Sequence, residues 1–227
     1  MPADRAMITA IRQELAPLAD PERAASMAAY MKSSMPYRGV PLPAVRKVVA
    51  AAAKAFPPAD AEDLRDAATE LWRSAEFREE RYAAAALCSS KLARGDLPFL
   101  PFYCEIVSSG AWWDHVDDVA HRIAELLAAH PDSMKPQIIR WSKDPDFWFR
   151  RLAIISQLQA KAKTDPDLLS ATIGANLADP EFFIRKAIGW ALRDYAKTNP
   201  SWVKAFVTEH IAELSPLSRR EALKHLA

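Results

Sequence analysis

Glycine is scarce in this chain, with 5 residues in 227, where average usage is about 7%. There is no Asn-Gly or Asp-Gly pair and no sustained apolar–polar alternation, so hairpins and strands have no signal. Cysteine is almost absent. Cys88 and Cys104 offer neither a disulfide framework nor a metal-ligand spacing. No run of 18 apolar residues occurs, which leaves no candidate for a membrane-spanning helix. The opening MPADRAMITAIRQEL lacks a basic segment followed by an apolar one, so it reads as an amphipathic helix rather than a secretory signal. A cytoplasmic protein is expected. Gly-rich phosphate loops and nucleophile elbows are missing too.

What is present favours helix. Half the residues are hydrophobic, and Ala-rich runs such as VVAAAAKAF and RYAAAALC carry high helix propensity. The expected class is all-α. Net charge is +1 overall, but residues 134–227 hold 15 Lys and Arg against 10 Asp and Glu, whereas residues 1–133 hold 15 against 19. The C-terminal part can therefore offer a basic surface to an acidic partner.

One phrase recurs. DPDFWFRRLAI starts at Asp144, and DPEFFIRKAIG starts 35 residues later at Asp179. The same step reaches SGAWWDHVDDV at Ser109, SAEFREERYAA at Ser74, GVPLPAVRKVV at Gly39 and LSPLSRREALK at Leu214. Counting the first residue of each as position one, position four is Leu42, Phe77, Trp112, Phe147, Phe182 and Leu217. Asp144 and Asp179 suit helix N-caps, and Pro145 and Pro180 suit first helical positions. A second helical stretch lies between phrases, so each unit is a helix pair that buries its apolar stripe only by stacking on its neighbours. The expected architecture is an α-solenoid of HEAT-like repeats with a concave groove. It would comprise about six 35-residue units in one domain over residues 1–227, with two capping helices near 3–16 and 21–33 inside residues 1–34. Tetratricopeptide repeats have a similar period, but their Trp, Gly and Tyr positions are absent.

Positions five, eight, nine and twelve share a helix face. Along phrases three to five they read Trp113, Val116, Asp117, Ala120; then Trp148, Arg151, Leu152, Ile155; then Phe183, Lys186, Ala187, Trp190. Trp113 and Asp117 are i,i+4 neighbours. Stacking would bring two indoles, a carboxylate and a guanidinium into one cleft. Large aromatics at this spacing equally suit a core, and Arg151 could pair with Asp117 purely structurally. His115 and His121 are six apart and face different ways, so no metal site is expected. Indole faces attract cations and stack on bases and sugars, arginine holds phosphate, and a carboxylate favours developing positive charge. Nucleic acid carrying a cationic lesion meets all three.

The stretches SGAWWDHVDDV, FWFRRLAI, EFFIRKAIGWALRDYAKTNP, PLSRREALKH and MAAYMK resemble the HEAT-like-repeat alkylpurine DNA glycosylases of the AlkD type. The resemblance covers nearly the whole chain. It implies hydrolysis of the N-glycosidic bond to cationic N3- or N7-alkylpurines in double-stranded DNA. A monomer suits a solenoid, and no cofactor is expected. By position the resemblance implies catalytic roles for Asp117, Trp113, Trp190 and Arg151, with Arg151 on a phosphate and orienting Asp117. It also implies DNA contacts for Tyr30 and Arg193; Arg46, Trp148, Phe183 and Lys186 join them as DNA-binding candidates. Pro41 and Leu42 stand where that family has polar groups near DNA. A noncatalytic DNA-structure binder and a protein-binding scaffold are the alternatives.

Overall fold

The computed structural model describes residues 3–226; Met1, Pro2 and Ala227, part of the expected span, lie outside the described residues. Every regular element among the described residues is helical. The chain runs through α1 (Ala3–Leu15), α2 (Pro21–Met31), α3 (Leu42–Ala55), α4 (Ala61–Arg73), α5 (Arg78–Leu87), α6 (Leu100–Gly110), α7 (Trp113–Ala129), α8 (Pro131–Trp141), α9 (Phe147–Ile155), α10 (Pro166–Gly174), α11 (Phe182–Ala196), α12 (Pro200–Glu209) and α13 (Pro216–Ala222). Short 3-10 turns follow α1 and precede α6 and α10. The two expected N-terminal helices are α1 and α2.

The chain forms two compact units, residues 1–102 and 103–227. The division falls inside α6, so no linker composition marks it in the sequence. In the first unit α1 packs against α3 and α4, and α3 against α5. In the second unit the phrase helices pack in order, α7 on α9, α9 on α11 and α11 on α13, with α8, α10 and α12 beside them. Each unit is thus built from packed helical repeats in the solenoid manner.

The phrase starts its helix later than the sequence suggests. The caps are Asp146, which accepts from the Trp148 amide at 2.9 Å, and Glu181, which accepts from the Phe183 amide. Asp144 and Asp179 instead accept from the amides of Asp146 and Glu181 at 2.9 and 2.8 Å. Asp-Pro-Asp and Asp-Pro-Glu each offer two acidic capping candidates. The first closes a turn, and Pro occupies it rather than the helix. Asp179 also joins neighbouring repeats: its carboxylate accepts from Arg150 Nη2 at 2.9 Å and Nε at 3.2 Å.

Position four is partly or fully exposed in all six copies. Its late placement, at or beside the helix start, keeps it at the rim. Positions eight, nine and twelve supply core instead, with Val116, Ala120, Leu152, Ile155 and Ala187 all buried.

The first unit is fastened by two buried carboxylates at the start of α5. Glu79 accepts from the amides of Arg38, Gly39 and Val40 at 2.9, 2.8 and 3.0 Å. Glu80 accepts from Arg12 Nε and Arg38 Nη2 at 3.0 and 3.2 Å. They pin the loop before α3 over the start of α2, where Gly39 has φ +85°. A Cβ at Gly39 would lie 2.1 Å from the Asp20 carbonyl oxygen, so strain and collision act together. Gly39→Ala should lower the unfolding free energy by more than about 3 kcal/mol in urea melts. Gly174→Ala, at the open end of α10 with nothing within 4 Å of its new methyl, should raise it by about 0.5–1 kcal/mol.

Candidate active site

Asp117 lies one turn into α7, and Arg151 lies at the corresponding level of α9. Arg151 Nε and Nη2 each reach a separate oxygen of Asp117 at 2.8 Å. This is the two-pronged geometry in which guanidinium binds carboxylate most strongly. Arg151 Nη1 donates to the Phe183 carbonyl at 2.7 Å, so one side chain ties α7, α9 and α11 together. The Arg151 side chain is 6% exposed and Asp117 17%. The carboxylate thus keeps partial contact with solvent, while the cation is nearly enclosed. Burial pushes the Asp117 carboxyl above the ordinary aspartate range; the Arg151 hydrogen bonds and charge pull it back without cancelling the rise.

Three of the five donors on Arg151 are engaged by Asp117 and Phe183, and the side chain is nearly covered. Its geometry serves to hold the carboxylate.

Trp113 opens α7, four residues before Asp117, and is half-buried; Trp190 on α11 is half-buried as well. Neither is sealed into the core. Trp148 is: it is 5% exposed, although it was expected at the DNA surface. Its ring is needed inside, where Trp112 lies at 6.0 Å, Phe147 at 4.5 Å and Phe183 at 5.0 Å between centroids. Phe183 is half-buried, with Phe147 stacked nearly parallel at 6.4 Å and the Arg151 guanidinium 5.9 Å from its centroid. Phe182 is the outer edge of this aromatic ladder, 51% exposed. Position alone did not separate the ladder's buried ring from its exposed ones.

Two expected DNA-contacting cations share one counter-ion. Lys186 Nζ lies 3.4 Å from Glu221 Oε1, and Arg193 Nη1 lies 2.6 Å from Glu221 Oε2. The sequence reading missed Glu221. The signal was available, because position eight reads Arg46, Arg81, Val116, Arg151, Lys186 and then Glu221, a reversal of charge in the last copy. Tyr30 and Arg46 belong to the first unit. Tyr30 is 75% exposed on α2, and Arg46 is exposed on α3, as are Pro41 and Leu42 at its start.

Burial raises the Cys104 thiol to about 11, so it stays protonated and is no nucleophile at neutral pH. Among the described residues no group of three His, Cys, Asp or Glu is arranged to hold a metal ion. No helix among them is long and apolar enough to cross a membrane.

Residues 11–226 match the family described as DNA alkylation repair enzyme. The structure is similar to that of a predicted DNA alkylation repair enzyme from Enterococcus faecalis, with 36% identity over 92% of this chain and 97% of that one and a TM-score of 0.80. It is more distantly similar to the Pseudomonas fluorescens alkylpurine DNA glycosylase AlkC bound to DNA containing an abasic site analog. That likeness has 18% identity over 99% of this chain and 62% of that one, with a TM-score of 0.48. No curated protein matches the chain.

A carboxyl whose folded-state pKa lies above its unfolded value favours folding at low pH, and that contribution is lost as pH rises through the folded value. Ionised Asp117 is therefore costly to the fold, and Arg151 limits the cost. Arg151→Gln should move the Asp117 carboxyl further up in a carboxyl NMR titration. Its stability deficit, read from urea midpoints, should grow from acid to neutral pH.

Proposed function

The chain belongs to the DNA alkylation repair enzyme family, and on that premise we propose that it is a glycosylase hydrolysing the N-glycosidic bond of cationic N3- or N7-alkylpurines in duplex DNA. The single observation that carries this reading is the Asp117 carboxylate: partly buried, gripped by Arg151 through both oxygens, and one helical turn from the half-buried indole of Trp113.

An alkylated purine already bears positive charge. When the bond from the sugar C1′ breaks, its electron pair stays on the base, which leaves neutral. Protonation of the leaving group is not required. The sugar becomes oxocarbenium-like, and its charge is what a site must stabilise. Asp117 supplies negative charge where solvent screening is weak, so its attraction for that cation exceeds what it would have in water. It also accepts a hydrogen bond from the attacking water, whose oxygen bonds to C1′ and whose proton is released. Trp113 and Trp190 present indole faces to the deoxyribose, and those faces favour a cationic ring. Arg151 is a positioning residue: it fixes the carboxylate and limits the cost of its ionisation. Lys186, Arg193, Phe183, Tyr30 and Arg46 are the proposed DNA contacts, and the enzyme acts as a cytoplasmic monomer without metal or cofactor.

Incubation with methylated duplex DNA should release 7-methylguanine or 3-methyladenine. Folded protein that releases neither from verified substrate would overturn the assignment. Asp117→Asn should cut single-turnover excision about 100- to 1000-fold while duplex affinity changes only a few-fold; an unchanged rate removes Asp117 from the chemistry. Because ionised Asp117 is required and burial raises its carboxyl, the wild-type rate should fall on the acid side, with an inflection above the ordinary aspartate value of about 3.9.

A further inference from the structure

Glu221 is the only acidic residue between Leu214 and Leu226, a stretch that also carries Arg219, Arg220 and Lys224. Its two ion pairs run to α11 rather than to its own helix. Arg220 and Lys224 are exposed, whereas the Glu221 side chain is 15% exposed and turned onto α11. There its two oxygens meet two cations seven residues apart, Lys186 at 3.4 Å and Arg193 at 2.6 Å. Desolvation disfavours the Glu221 anion, but the charges of Lys186 and Arg193 outweigh it and hold the carboxyl below the usual glutamate range.

The approach is enabled by the backbone. Gly189 lies between Lys186 and Arg193 on the same face, and a Cβ there would come within 2.5 Å of the Glu221 Cβ and 3.1 Å of the Ser218 carbonyl. Ser218 Oγ in turn donates to the Arg185 carbonyl at 2.9 Å. A larger residue at 189 would force α13 away and lift the carboxylate off both cations. In the preceding copies position eight carries Arg46, Arg81, Arg151 and Lys186 as cations. Only the terminal copy places an anion there, facing the last cations of the series.

We propose that Glu221 is an internal stand-in for a DNA phosphate: it occupies the Lys186–Arg193 pair in the free protein and must yield that pair to a backbone phosphate when duplex binds. The inference rests on the repair reading above and names what regulates affinity at that site. A carboxylate has the charge and two-oxygen geometry of a phosphodiester, so both compete for the same donors. The competition keeps nonspecific affinity low. It also prevents Lys186 and Arg193 from collecting other anions, and it preorganises their side chains beside Trp190.

The test compares wild type with Glu221→Gln and Glu221→Ala, using fluorescence anisotropy on a labelled undamaged duplex across a salt series, with thermal melts confirming the fold. Gln keeps the shape of the side chain, and Ala keeps the Cβ that rests on Gly189. Both variants should bind about three- to tenfold more tightly at moderate salt. The magnitude of the log–log salt slope should rise by about 0.9 for each cation released to a phosphate, hence by one to two. The gain should vanish when Lys186→Gln and Arg193→Gln are added. If Glu221 merely fastens α13, the variants melt earlier with no gain in affinity, and the proposal fails. If wild type excises alkylpurines but the variants bind no more tightly, the proposal fails and the repair reading stands. If wild type neither binds duplex nor releases base, the repair reading fails and takes this one with it.

Discussion

One buried guanidinium organises the second unit. Arg151 reaches backward to α7 through Asp117 and forward to α11 through the Phe183 carbonyl. It cannot leave the interior without stranding a carboxylate, and the carboxylate cannot leave without stranding the cation. Buried charges persist only when paired in this way. The price is a site where the negative charge is held slightly against its preference, which is the condition under which it acts most strongly on a passing cation. Packing and proposed chemistry are therefore two readings of the same contact.

Periodicity carries the arrangement further. A step of one unit brings position eight of one phrase beside position eight or nine of its neighbour. That single register makes Arg151 meet Asp117 and makes Glu221 meet Lys186. The same geometry produces an ion pair facing inward in one place and a covered cation pair in another. The difference lies only in which residue types each copy supplies. The aromatic rims follow the same rule: Trp112, Phe147 and Phe182 sit beside the helix starts, and neighbouring rings at position five close the ladder beneath them.

Much of this was legible in the sequence. The 35-residue phrase located the helices that matter, the two N-terminal helices fell where amphipathic pattern put them, and Asp117 with Arg151 emerged from register alone. The rest was obscured for identifiable reasons. The caps of α9 and α11 shifted by two residues because Asp-Pro-Asp and Asp-Pro-Glu each contain two carboxylates, and only the tertiary fold decides which closes the turn. Trp148 and Phe183 share a position yet differ in burial, because their depth depends on rings contributed by three separate copies. The bond from Arg151 to the Phe183 carbonyl gave no signal, since a backbone group is invisible in any side-chain pattern. Glu79 gave no signal because it binds the main chain of a distant loop, and Glu80 gave none because its arginine partners lie far off in sequence.

The Asp117–Arg151–Phe183 tie spans three consecutive copies, and this constrains how such a gene could change length. Adding a copy beyond α13 would leave every existing pairing in place, whereas losing α13 would strip Lys186 and Arg193 of Glu221. An insertion of one copy between α7 and α9 would part acid from base and would also separate Trp112 from the ring of Trp148. The permissible places for growth and shrinkage are thus set by the side chains that bridge one copy to the next, not by the period alone.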